Sequence, residues 1–330
     1  IKLAELDRMV YPAMTPNDPY YGSEWHLLTM GAPAAWNATQ GTGIIIAILD
    51  SGVNGAHPDL KTQMVPGWNF YDNNSDTLDV FGHGTLVAGT ASAITNNGAG
   101  VAGVAGQSKV MPIRITDTNG YGFSSTIVQG LVWASDNGVR VANISFGGAA
   151  GILSVQNAAQ YMKDKGGLVV VSAGNTGSEQ TTAPTSALIP VSATDANDVR
   201  TSWSTYGSFV VMSAPGVSIW TTRREGDYKA ASGTSFSSPL TAGVVALMMS
   251  ANPKLSSLDI ENLLFSSAVD LGASGRDPYY GYGRVDAAAA VQLSVAAAIT
   301  QDTEAPSVVI IDPLEGAVVN GLVPVDIEAF

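Results

Sequence analysis

Ile44-Ile45-Ile46-Ala47-Ile48-Leu49-Asp50-Ser51-Gly52 is the stretch on which the reading of this chain turns. An unbroken apolar run of this length, rich in β-branched residues, suits a strand buried on both faces, as in a parallel sheet. It stops at a carboxylate followed by Ser51 and Gly52. A carboxylate at the end of a buried strand is costly unless it has a partner. Asp50 could cap a turn, but a histidine partner explains it better.

The same pattern recurs outward from this run. Val110 to Ile115, Val139 to Ile144, Leu168 to Ser172, Leu188 to Ala193 and Phe209 to Ser213 read as further buried strands. Between and after them lie helical stretches: Gly84 to Thr95, Ser124 to Asn137, Gly151 to Lys165, Thr234 to Ser250 and Ser257 to Ala268. Alternation of this kind implies right-handed βαβ crossovers and an α/β fold whose sheet is covered on both faces. Ligands of such sheets bind beyond the carboxyl ends of the strands. The Ala-rich segment from Asp286 to Ile299 reads as the last helix of the main domain. Past it, Gln301 to Pro306 reads as a linker. Val308 to Ile311 and Val323 to Ile327 read as two strands of a β domain that stops short. The domain reading is therefore a catalytic domain over 14–300, a preceding segment 1–13 and an appendage 301–330.

Composition excludes several classes. The 330 residues carry a formal net charge of −13, which argues against a nucleic-acid partner. The surplus carboxylates serve solubility or surround bound cations. There is no cysteine, so disulfides, a thiol nucleophile and a Cys-ligated zinc are excluded. No apolar run reaches the ~18 residues of a membrane span, so no membrane partner is expected.

Three histidines are present, and an imidazole base must come from among them. His26 has no motif around it and reads as a surface or capping residue. His57 precedes Pro58 in a turn and reads as structural. His83 stands between Gly82 and Gly84 at the start of a small-residue helix, where flanking glycines let a substrate approach. Ser235, in Ser232-Gly233-Thr234-Ser235, sits at the head of another helix. It is either an N-cap or a nucleophile favoured by the helix N-terminus. Asn175, at the end of Leu168 to Ala173, is either a turn residue or an amide aimed at an oxyanion.

Five blocks now stand in order: Ile48 to Gly52, Gly82 to Thr85, Asn143 to Gly148, Ser172 to Asn175, and Ser232 to Ser235. Together they resemble the signature blocks of the subtilisin-like serine proteases, closest to thermitase-type members. The order Asp, His, Ser is that family's order. The likeness runs from about Asn17 to Ala290. It departs where Leu86 and Leu240 replace two histidines usual in the family, and where Phe236 replaces the usual Met. None of these removes a catalytic atom.

The resemblance implies a three-layer fold with a mainly parallel sheet, and a secreted, monomeric serine endopeptidase acting on proteins and peptides. Ser235 would be the nucleophile, His83 the general base and Asp50 its orienting partner. Asn175, with the Ser235 N–H, would hold the oxyanion. Ser145, Phe146 and Gly147 would pair with the substrate, and with Ala173 and Gly174 they would line an apolar or aromatic P1 pocket. The resemblance also implies structural Ca2+. A first site would use Asp18, Asp59, the Asn97 side chain and the carbonyls of Ile94, Ala99 and Val101. A weaker second would use Asp72, Asn74 and Asp76, where Asn69 replaces an expected Asp. Residues 1–13 resemble the last strand of an inhibitory propeptide, and 301–330 the start of an Ig-like module.

Other classes fare worse. The serine lacks the G-x-S-x-G elbow of an α/β-hydrolase, and Gly41-Thr42-Gly43 precedes the first strand rather than following it. An inactive binding scaffold of the same fold is the remaining alternative.

Overall fold

The computed structural model describes residues 14–300, 308–312 and 326–329, with side chains through residue 297. The expectation for residues 1–13 lies outside the described residues. Two short helices come first, α1 (Trp25–Thr29) and α2 (Ala32–Ala35). There follow β1 (Ile45–Asp50), β2 (Trp68–Asn69), α3 (His83–Ser92), β3 (Lys109–Arg114), α4 (Ser124–Asp136), β4 (Val141–Ile144), α5 (Leu153–Asp164), β5 (Leu168–Ser172), β6 (Ile189–Thr194) and β7 (Met212–Pro215). Then come β8 (Ile219–Thr222), β9 (Tyr228–Ala231), α6 (Thr234–Ala251), α7 (Ser257–Ser266) and α8 (Ala287–Thr300). The chain divides into a large unit ending at Val295 and a small one beginning at Ala296. In the latter, β10 (Val308–Asp312) pairs antiparallel with β11 (Asp326–Ala329), Ile310 opposite Ile327.

Seven strands form one sheet in the order β2-β3-β1-β4-β5-β6-β7, parallel throughout. Their side chains are apolar on both sides because both faces are covered. Leu49, Ile113, Ile144 and Val169 pack against Leu131 and Ala134 of α4 and Ala159 and Met162 of α5. The opposite face carries α3 and α6. α6 is buried from Thr234 to Met249, which explains its apolar character all round. This is a three-layer α/β fold, as expected.

Several short elements escaped the sequence reading, among them α1 and α2. β8 and β9 form an antiparallel hairpin next to α3, with Ile219 opposite Ala231. The two-residue β2 extends the sheet beyond β3. The strand expected over Phe209 to Ser213 lies slightly later, at β7.

The order of the strands positions the site. β1, β4 and β5 are neighbours. Their carboxyl ends deliver Asp50, Ser145 and Asn175 to one rim of the sheet. The N-termini of α3 and α6 bring His83 and Ser235 to the chain positions that face it.

Candidate active site

Asp50 is fully buried at the last position of β1. Its oxygens lie 2.8 and 2.9 Å from Nδ1 of His83, and Oδ1 also accepts the Ser51 N–H at 2.7 Å. His83 opens α3 after Gly82, whose φ of +100° requires glycine. Gly84 admits no side chain, since a Cβ there would stand 2.0 Å from the Gly52 carbonyl oxygen. That close approach presses α3 against the end of β1. Burial opposes the charged imidazole most strongly, but the Asp50 carboxylate and its hydrogen bond outweigh it, with help from Asp79. The His83 pKa is therefore raised above its ordinary value.

Asp50, Phe81, His83, Gly120, Ser145 and Phe146 line a recess of about 150 Å³. The Phe146 and Phe236 rings flank the imidazole, with centroids 6.2 and 6.3 Å away.

Ser235 is the second residue of α6, behind an N-cap at Gly233, so the capping alternative falls. Its hydroxyl donates to the Ser145 carbonyl at 3.2 Å rather than to His83. Ser145 Oγ donates in return to the Ser235 carbonyl at 3.0 Å. Asn143 Nδ2 donates to Ser145 Oγ, and Ser238 Oγ donates to Asn143 Oδ1, so the buried amide locks β4 to α6. Asn175 Oδ1 accepts both the N–H and the hydroxyl of Thr234, each at 2.9 Å. Its Nδ2 is thus left as the free end of an oriented amide. The backbones at Gly147 and Gly174 lie side by side. A Cβ on Gly147 would stand 3.0 Å from the Gly174 Cα. Segments 145–147 and 173–175 accordingly form two close walls, an arrangement able to hold an extended peptide.

Two histidines stand apart. His57 is buried, with Nε2 on the Asp227 carbonyl at 3.0 Å and Nδ1 accepting the Asp59 N–H at 3.1 Å. His26 is not a surface or capping residue. It is 1% exposed, its Nδ1 has no hydrogen-bond partner, and burial lowers its pKa to about 3.

Asp18 and Asp59 are both buried. The 94–101 loop wraps them: the N–H groups of Asn96 and Val101 donate to Asp18 and Asp59 at 2.7 and 3.1 Å. Asn97 bonds to Asp59 at 2.7 Å. Burial raises the Asp18 pKa, and the neighbouring Asp59 adds to the rise. Glu24, fully buried nearby, is pushed up to about 9 by burial, with Asp18 and Asp59 contributing. Among the described residues, none of these three carboxylates has a Lys or Arg ion-pair partner. Three or more acidic or imidazole side chains do not converge as a metal cage among the described residues. Asn97 presents its Nδ2 to Asp59, while its Oδ1 accepts the Ala99 N–H at 2.8 Å, so the two carboxylates are held by N–H groups of the loop. The second loop differs. Asp72 pairs with Arg114 at 2.9 Å, while Asn74 and Asp76 accept N–H groups within the loop.

The sequence reading passed over Asp79, four residues before His83, and Thr234, which orients Asn175. Position relative to His83 was the available signal for Asp79. Nothing marked Thr234 beyond its place beside Ser235.

A model of the subtilase family matches residues 41–283. The chain is 40% identical over 281 residues to thermitase of Thermoactinomyces vulgaris, covering 84% of this chain and 99% of that protein. It is 37% identical over 271 residues to subtilisin Savinase of Lederbergia lenta, covering 81% and 98%. Among solved structures, a protease of Pseudoalteromonas arctica superposes with a TM-score of 0.78 at 31% identity, covering 85% of this chain and all of the other.

Proposed function

Because the chain belongs to the subtilase family and is a serine endopeptidase, we propose that Ser235, His83 and Asp50 carry its chemistry. One observation supports this above the rest. An imidazole at the head of α3 is clasped through Nδ1 by a buried carboxylate, which leaves Nε2 as the acceptor. On substrate binding, Ser235 Oγ turns from the Ser145 carbonyl toward His83, a tightening common when catalytic hydrogen bonds form only in the complex. Oγ attacks the scissile carbonyl while His83 Nε2 takes its proton. Asp50 holds the tautomer and stabilises the imidazolium. Asn175 Nδ2 and the Ser235 N–H receive the negative charge that develops on the carbonyl oxygen. His83 then protonates the leaving amine. Water, deprotonated by His83, hydrolyses the acyl-enzyme.

Ser145, Phe146 and Gly147 bind substrate as an added strand, and with Ala173 and Gly174 they shape the P1 pocket, which takes apolar or aromatic side chains. Structural calcium is assigned to Asp18, Asp59 and Asn97 with the carbonyls of Ile94, Ala99 and Val101. The paired buried carboxylates without a cationic partner support it. Asp72, Asn74 and Asp76 carry no calcium assignment, because Arg114 already balances Asp72. The catalytic domain is assigned to residues 14–300, with 1–13 assigned to a propeptide strand and 301–330 to an Ig-like module. The enzyme is secreted and acts as a monomer on protein substrates. Its family supports that reading; no helix among the described residues is long and apolar enough to cross a membrane.

A serine-directed fluorophosphonate tests the assignment. It should label the protein on Ser235, and labelling and peptidase activity should both vanish in Ser235→Ala. Labelling that persists in the variant, or an inert wild-type protein, would favour the inactive scaffold.

A further inference from the structure

Asp79 lies outside the three residues assigned to the chemistry, yet its carboxylate binds the chain on both sides of His83. It is 3% exposed. Oδ1 accepts from Gly82 N and Ser51 Oγ, each at 2.7 Å, and from Phe81 N at 3.2 Å. Oδ2 accepts from Thr85 N at 2.9 Å and Thr85 Oγ1 at 2.5 Å. Among the described residues it has no ion-pair partner.

Ser51 extends the connection. Its hydroxyl accepts the Gly84 N–H at 3.0 Å, and its own N–H donates to Asp50 at 2.7 Å. Asp79 therefore reaches the residue before His83, the two after it, and the neighbour of the carboxylate that clasps the imidazole. We propose that Asp79 is a positioning residue of the protease: it holds the His83 backbone against Asp50 and supplies a second negative charge toward the imidazolium formed during proton transfer. This rests on His83 being the base.

The other charges facing His83 are known. Asp50 faces it from β1, and Lys229 on β9 opposes both carboxylates by disfavouring the imidazolium. Arg224, ahead of β9, packs beside Gly82: its Cβ and Nε stand 4.0 Å from where a Gly82 Cβ would lie. With Lys229 acting against the imidazolium, removal of the Asp79 charge should be felt at the imidazole.

A residue that merely starts α3 would affect stability and leave the titration of His83 alone. The test is Asp79→Asn, which keeps the shape and loses the charge. Folding is checked by circular dichroism and Tm. In the folded variant kcat should fall about 10-fold with KM little changed. The acid limb of kcat/KM should move to lower pH by about half a unit, because the imidazolium has lost a stabilising anion. An acid limb that stays in place overturns the proposal. Ser51→Ala keeps the charge and cuts the connection to Gly84. It should lower kcat without moving the acid limb, and a wild-type kcat there overturns the positioning role even if Asp79→Asn fails to fold. His83→Ala separates the premise: fluorophosphonate labelling that survives it would sink the base assignment itself.

Discussion

Asn175 depends on which end of its amide is held. Thr234 occupies Oδ1 with two donors, so Nδ2 is the end available to a developing oxyanion. Asn175→Ala should lower kcat about 10²–10³-fold, the range for losing one such donor, with KM nearly unchanged. Steady-state kinetics on a peptide anilide measure the split, and a loss confined to KM would contradict the role. The pH profile follows from His83 as the proposed base. Its pKa is raised, so more alkaline solution is needed to free the base, and the acid limb should lie above the reference value of ~6.5. Glu24 makes a separate prediction. Its folded pKa, about 9, exceeds that of the unfolded chain. Between the two values the unfolded chain has released a proton that the folded one retains, so stability falls as pH rises through that window. In chelator, Glu24→Gln should match the wild-type Tm near about pH 4 and exceed it by about pH 8. Parallel melting curves across that range would show Glu24 ionised in place. At this scale the sequence was legible where a motif surrounded a residue, as at Asn175. It was not legible for Glu24 or His26, whose character comes from burial by residues distant in the chain.

α6 shows how an element accommodates its own defect. Pro239 lies inside the helix and has no N–H to bond the carbonyl four residues earlier, which belongs to Ser235. Ser145 Oγ supplies the missing donor at 3.0 Å. The proline thus frees a carbonyl that ties the Ser235 turn to the end of β4. Ser145→Ala should leave that carbonyl unsatisfied, costing about 1–3 kcal/mol of stability. It should also slow fluorophosphonate labelling of Ser235. Unchanged Tm and labelling rate would mean that water or a shift of the helix replaces the bond. The long buried strands were readable as elements because their apolar runs are continuous. The β8–β9 hairpin was not. Its four-residue strands carry Thr, Lys and Ala; β8 is buried against α3, while β9 stays half-buried to exposed, so neither shows a pattern of its own. The helix at Ser235 was readable, but not that Gly233 is its N-cap.

At the scale of the molecule, the 94–101 loop connects the first described residues to the body of the domain. Asn17, Asp18 and Tyr20 all bond to it. Calcium bound there would stabilise the fold by about 4 kcal/mol at ~1,000 times its Kd. Excess EDTA should lower Tm sharply, and Asp59→Asn should lower the calcium-dependent part of that Tm; a melting curve indifferent to EDTA would remove the site. The formal charge of −13 already suggested either solubility or cations, and only the fold shows that carboxylates are buried together. What the amino-acid order determined by itself was the α/β class, the long central strands of the sheet and the residues that end them, because a strand buried on both faces must be apolar throughout and can change character only where it emerges. What the tertiary structure alone decided was adjacency. Placing β1, β4 and β5 side by side sets Asp50, Ser145 and Asn175 along one rim, and it closes Asp79 around His83, because hydrogen bonds between segments depend on which ends the sheet order brings together.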